Sequence, residues 1–279
     1  MFAVKKQNNS KVTYLMETVT PEDAQQILKG NTNNRTVKKS LVKYFKNQIE
    51  RGIWQFNGDA IRIAANGTLL DGQHRLLAVI AAKKPITTLV VRGLSTETFK
   101  TIDTGCVRTI ADHLHIEGFG ASNILGAAVK VAMRFDGATG VYTNNVDRIS
   151  PTEIIGWLNR HETFPEFVKF CMPAKGFTSV STLSGVYYIC SIMDPDAALS
   201  FFTGVVTGER LSAKSPAMLL RNRLLSIRND GRAGAMYQKT MVALIVHAFN
   251  CYRKNKPIER LVYGGGDIIL DGLKGAIKQ

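Results

Sequence analysis

The hydrophobic pattern of this chain changes character near residue 110. Before that point, short alternating segments rich in β-branched residues are interleaved with segments of helical spacing; after it, the spacing is helical throughout. A chain divided in this way predicts an α+β protein, with a small mixed-sheet domain over residues 1–110 and an all-α domain over 111–279.

In the first part, Val12 to Val19 and Ala60 to Ala64 alternate as strands, Leu69-Leu70 forms a brief one, and Ile86 to Val91 another. Thr20-Pro21-Glu22-Asp23 carries a helix start, with a threonine cap, proline in the first turn and acids at the positive end of the dipole. A second helix is expected from Val37 to Arg51, closed by Gly52. Its polar face holds Lys38, Lys39, Lys43 and Lys46. A third opens at Gly72 and ends before Pro85, and Ser95 to Lys100 forms a short one. In the second part, helices are expected to begin at Thr109, Ala121, Ser150, Thr163, Ser181, Pro195, Ser215 and Gly234, with a loop over Gly137 to Arg148. Trp54 and Trp157 are expected as packing anchors, and His247 as a hydrogen-bonded core residue.

No apolar run reaches the roughly 18 to 20 residues that span a bilayer, and the first residues turn polar too soon for a signal peptide. Cys106, Cys171, Cys190 and Cys251 share no CxxC spacing, which points to free thiols in a reducing compartment. A cytoplasmic protein is the expectation. His113 and His115 stand two apart without a third ligand, so no zinc site is expected there.

The net charge is +14 and unevenly placed. Residues 1–110 carry 17 Lys and Arg against 8 Asp and Glu, residues 111–209 carry 6 against 10, and residues 210–279 carry 13 against 4. Two basic ends flanking an acidic middle suit a polyanionic partner, because each cation that neutralises a phosphate also releases a counterion. DNA is the expected partner, with Lys38, Lys39, Lys43, Lys46, Arg221, Arg223 and Arg228 as backbone contacts. Arg253, Lys254, Lys256 and Arg260 follow the last long helix and extend this basic end.

The segment Asn66 to Ala78 reads as strand, tight turn and helix, with Asp71-Gly72-Gln73-His74-Arg75 at the turn. A helix N-terminus is an anion site, since its first N–H groups lack partners and the macrodipole is positive there. Gly72 allows close approach of a phosphate, and Arg75 offers a planar fork for phosphate oxygens. His74 can donate a hydrogen bond or move a proton. Asp71 has two possible roles, capping the helix or holding Mg²⁺ with phosphate oxygens. A second constellation, Asp103, Thr104, Gly105 and Arg108, supplies an acid, a hydroxyl and a cation that would close over the same phosphates, with Asp103 as metal ligand or base. Its alternative is an ordinary helix start capped by Thr109. Arg35, beside Asn34 and ahead of the basic helix, would reach the nucleotide or the DNA backbone.

The run Gly67-Thr68-Leu69-Leu70-Asp71-Gly72-Gln73-His74-Arg75-Leu76-Leu77-Ala78 resembles the signature of the ParB/sulfiredoxin-like superfamily in its DGQHR form. Asn34-Arg35, Gly52-Ile53-Trp54 and Asp103-Thr104-Gly105 with Arg108-Thr109 resemble the wider pattern of ParB-like proteins of bacteriophages. The resemblance covers about residues 30–112. It implies a ParB/sulfiredoxin-like fold for the first domain and a turn that binds nucleotide phosphates or nucleic acid. It implies Gly72, Gln73, His74, Arg75, Thr104, Arg108 and Arg35 as phosphate-binding residues, and His74, Arg75, Asp71 and Asp103 as catalytic ones. Mg²⁺ and ATP or CTP are the implied cofactors.

Gln73 stands where sulfiredoxin has its cysteine, which argues against sulfinic-acid reduction. Partition proteins carry an acidic–arginine pair where Gln73 and His74 stand. The leading expectation is therefore nuclease or phosphoryl-transfer chemistry on DNA with Mg²⁺. A non-catalytic DNA-binding or regulatory protein, with homo-oligomerisation open to it, is the alternative. A small-molecule kinase like the free serine kinases is a third, which a charge of +14 disfavours.

Overall fold

The structure is a computed structural model that describes residues 12–32, 34–102, 108–143, 148–209, 212, 214–229 and 235–273, apart from the side chains of 228, 229, 235 and 236. The chain divides into two compact units, Met1–Cys106 and Val107–Gln279. The class is α+β.

The first unit is a four-stranded mixed sheet with helices. Strand β1 (Thr13–Val19) leads into α1 (Pro21–Leu28), and α2 (Lys39–Glu50) precedes β2 (Ala60–Ala64). A tight turn at Gly67 returns the chain as β3 (Leu69–Asp71), followed at once by α3 (Gln73–Ala82) and then β4 (Ile86–Leu94). The order across the sheet is β1-β4-β2-β3. The β1–β4 and β2–β3 pairs are antiparallel, and the central β2–β4 pair is parallel. A parallel pair needs a crossover, and α3 supplies it. Thr20 caps α1 in a full capping box with Asp23. Ile61, Leu69, Leu76, Val79 and Val90 make a dry core between sheet and helices, each 1 % exposed or less. Burial of each stabilises the unit by roughly 1.5–3 kcal/mol. Trp54 packs edge-on against Phe45 at this core.

Among the described residues the second unit is built on eight α-helices: α4 (Ile110–Ile116), α5 (Ser122–Ala132), α6 (Pro151–Arg160), α7 (Phe164–Cys171), α8 (Val180–Met193), α9 (Pro195–Thr207), α10 (Pro216–Asn229) and α11 (Ala235–Arg253). Capping boxes open α4 at Thr109 with Asp112, and α6 at Ser150 with Glu153. Helix α8 is buried continuously from Val180 to Cys190, Ser181 excepted, and is the centre of the unit. Trp157 packs edge-on against Phe164 and Tyr188, and Phe201 against Phe202 and Phe249.

This unit is not all-α. Two short strands, β5 (Val141–Tyr142) and β6 (Ile268–Ile269), pair antiparallel, so the expected loop over Gly137 to Arg148 holds one strand of a ribbon. Two residues are too few for alternation to show in sequence. Asn250 on α11 fixes the ribbon's end: its Nδ2 donates to the Ile269 carbonyl and its Oδ1 accepts the Asp271 N–H. No helix among the described residues is long and apolar enough to cross a membrane.

Candidate functional site

The Asp71–Arg75 turn lies where the crossover helix leaves β3. Gly72 is the N-cap of α3 with φ +107°, a left-handed conformation that a residue with a Cβ rarely adopts. A Cβ there would also sit 3.0 Å from Ile61 Cγ1. The glycine is thus required by the turn and by the strand beside it. No side chain caps α3, so the N–H groups of its first turn have no side-chain acceptor.

The other four side chains of the turn face inward. The Arg75 Nη2 donates to the Ala60 carbonyl at 2.7 Å and to Asp71 Oδ2 at 3.0 Å. The residue is 8 % exposed, and its Nη1 is enclosed without a hydrogen-bond partner. Asp71 Oδ2 also accepts from Arg62 Nη1 at 2.7 Å, while Oδ1 accepts the Gly72 N–H. The expected open phosphate fork at Arg75 and open carboxylate at Asp71 are corrected here. Each is engaged with the other, and Arg62 completes the set. Asp71 is not the N-cap either, since Gly72 holds that place.

Gln73 and His74, 5 % and 6 % exposed, clip a neighbouring segment. Gln73 Oε1 accepts from Asn31 Nδ2 and its Nε2 donates to the Arg35 carbonyl, both at 2.8 Å. His74 Nε2 accepts the Lys38 N–H at 3.0 Å. Asn34 adds Nδ2 donations to Asn31 Oδ1 and to the Leu69 carbonyl. The strap Asn34–Lys38 is therefore held by backbone contacts, while Arg35, Lys38 and Lys39 are exposed on it. Their charges act on His74: burial first, then Arg35 and Lys38, hold its imidazole below the usual value, against an opposing pull from Asp71. Lys39, Lys43 and Lys46 continue along one face of α2, Lys46 being ion-paired to Glu50 at 3.1 Å.

The remaining candidates separate. Asp103, Thr104 and Gly105 lie outside the described residues. Arg108 is exposed ahead of Thr109, the cap of α4, which is the ordinary helix-start arrangement. Among the described residues no group of three or more His, Cys, Asp or Glu is placed to hold a metal ion. Arg221 is not available for nucleic acid: its Nη1 donates to the carbonyls of Val205 and Val206, and the guanidinium lies 4.4 Å from the Phe177 ring centre. The Arg228 side chain lies outside the described set. Arg253 is tied to Asp194 and to the Asp271 carbonyl, and Lys254 to Asp271. His247, expected in the core, is exposed and faces a small cavity beside Gly264 and Gly265.

Sequence reasoning missed Arg62 and Asn31. Arg62 left a signal, a lone cation in the apolar strand Ala60–Ala64, where it pairs in register with Asp71. Asn31 left none beyond its place after a helix end.

The chain matches no protein-family model, and no curated protein or solved structure is significantly similar to it.

Proposed function

We propose that this chain is a ParB-like DNA-binding protein, acting by binding rather than by turnover. Its contact surface in the first unit is the exposed cation run of the strap and α2. In this reading Arg35, Lys38, Lys39 and Lys43 meet phosphates. Asp71, Gly72, Gln73, His74 and Arg75 form the frame that fixes them. The observation that carries the reading is the pair of clips from Gln73 and His74 onto the backbone of Arg35 and Lys38. These contacts order a cation-bearing segment through its backbone. Ordering in advance lowers the entropic cost of binding a polyanion. The charge of residues 1–110, 17 cations against 8 anions, agrees with it.

The test is fluorescence anisotropy with labelled duplex and single-stranded DNA, over about 50 to 200 mM salt. Replacing Arg35, Lys38, Lys39 and Lys43 by Ala is expected to flatten the salt slope by about one per cation removed. Wild-type affinity in that variant sinks the reading.

A second reading is nucleotide binding, ATP or CTP with Mg²⁺, leading to phosphoryl transfer. One observation favours it: the first turn of α3 has no side-chain cap and faces the charges of Arg35 and Lys38. Titration with ATP and CTP, with and without Mg²⁺, separates the two. Metal-dependent binding or turnover favours this second reading.

A further inference from the structure

Two residues beyond Arg221, the same helix carries an arginine in the opposite situation. Arg223 makes no hydrogen bond or ion pair with any described residue, and its Nε is enclosed without an acceptor. Leu219, Asn222, Arg223 and Ser226 follow the i, i+3, i+4, i+7 spacing of one helix face, and together they form one wall of a cavity of about 300 Å³. The other wall is the segment after α11, which brings Glu259 and Arg260 to the same space. Arg260 is exposed and makes no hydrogen bond or ion pair with a described residue, and the same holds for Glu259.

Enclosed polar atoms in folded proteins almost always have partners, so an arginine that lines a cavity and holds an enclosed, unpartnered nitrogen indicates an acceptor supplied from outside. The donors that converge here are two guanidinium groups, an amide and a hydroxyl. This set fits an anion with several oxygens, and guanidinium pairs with phosphate in particular. The charge around the cavity further restricts the ligand. Two arginines and one glutamate sum to a single positive charge, which matches a monoanionic phosphodiester better than a doubly charged free phosphate.

We propose that this cavity is a phosphodiester subsite that takes one backbone phosphate of a nucleic acid, with Arg223 and Arg260 as its ligands. It lies in the second unit and does not rest on the strap of the first. It rests on the reading of the chain as a DNA binder: a wild type that does not bind sinks both, whereas loss confined to the Arg223 and Arg260 variants or to the strap variants separates the two.

The experiment measures full-length wild type, R223A/R260A, R223K/R260K and E259Q against a labelled DNA duplex over the same salt range, with inorganic phosphate as competitor. The double alanine variant is expected to bind about tenfold more weakly and to lose about two from the salt slope. The double lysine variant keeps the charges and the slope but loses the planar fork, so it falls between the two. E259Q, which removes a like charge, binds tighter. Inorganic phosphate competes poorly. The proposal is overturned if wild type does not bind the duplex, or if R223A/R260A keeps its affinity and slope. Weaker binding by E259Q, or displacement of the duplex by inorganic phosphate at low concentration, overturns it as well. If the alanine variant does not fold, E259Q and the lysine variant decide alone.

Discussion

His74 Nε2 accepts the backbone N–H of Lys38 across 36 residues of sequence. A ring nitrogen that accepts carries no proton, so the neutral imidazole has its hydrogen on Nδ1. Protonation turns both nitrogens into donors and removes this contact. The clip therefore holds only while His74 is neutral. Burial and the charges of Arg35 and Lys38 act in the same direction.

Acid should consequently loosen the first unit. The unfolded imidazole titrates near 6.5, and the folded one lower. Above 6.5 both states are neutral and the contact contributes fully. Below it the unfolded chain takes up a proton that the folded chain does not, so stability falls with pH until the folded value is passed. Denaturant unfolding from about pH 8 to about pH 5 should show this decline. Part of it should vanish in His74→Ala. A second part, from His161, which burial and then Arg160 also hold low, should remain. Arg35→Ala should raise the His74 value in an NMR titration; an unchanged value would show that Arg35 exerts no field there.

Asp71 and Arg75 give an asymmetric prediction. Asp71→Ala leaves the Arg75 guanidinium inside the unit with only the Ala60 carbonyl, and removing one partner of such a pair costs about 3 kcal/mol or more. Arg62→Ala removes a partner whose side chain is 33 % exposed and leaves Arg75 on Asp71, so it costs about 1 kcal/mol or less. Urea denaturation of the two variants tests the order. Equal losses would mean that Arg62, not Arg75, carries the pair.

Two glycines beside this turn are required for different reasons. A Cβ on Gly30 would stand 2.1 Å from the Gly67 carbonyl oxygen, a backbone atom that has no room to retreat because Gly30 also binds Leu69 through its carbonyl. Gly72 combines a positive φ with a contact to Ile61 that can give by a few tenths of an ångström. Gly30→Ala should therefore be the more damaging, and Gly72→Ala should cost about 1–3 kcal/mol. Thermal unfolding of both variants gives the ranking, and a tolerated Gly30→Ala would contradict the close approach.

Helix starts could be read from sequence because caps are local. Thr20 with Asp23, Ser150 with Glu153 and Pro216 after Ser215 each announce a helix within four residues. The turn at Gly72 was legible for the same reason. The direction of its side chains was not. Nothing near Arg75 in sequence reveals the Ala60 carbonyl that receives it, and nothing near Gln73 reveals Asn31. An arginine after a glycine turn reads as a phosphate fork until the fold supplies an internal acceptor. His247 failed in the opposite sense. Apolar neighbours on α11 suggested the core, but those neighbours are buried while the imidazole faces outward.

The same limit separates Arg221 from Arg223, two residues apart on α10 and alike in sequence. Arg221 closes the end of α9, donating to the carbonyls of Val205 and Val206, which lack helical partners at a C-terminus, and stacking over Phe177. Arg221→Ala should cost about 2 kcal/mol, from charged hydrogen bonds and the ring contact together. Arg223→Ala removes an enclosed donor that has no acceptor, so stability should stay level or rise. Denaturation of the two variants in parallel is a direct measurement. A large loss at Arg223 would show that it has a structural partner in solution, and no loss at Arg221 would show that α9 ends without its help.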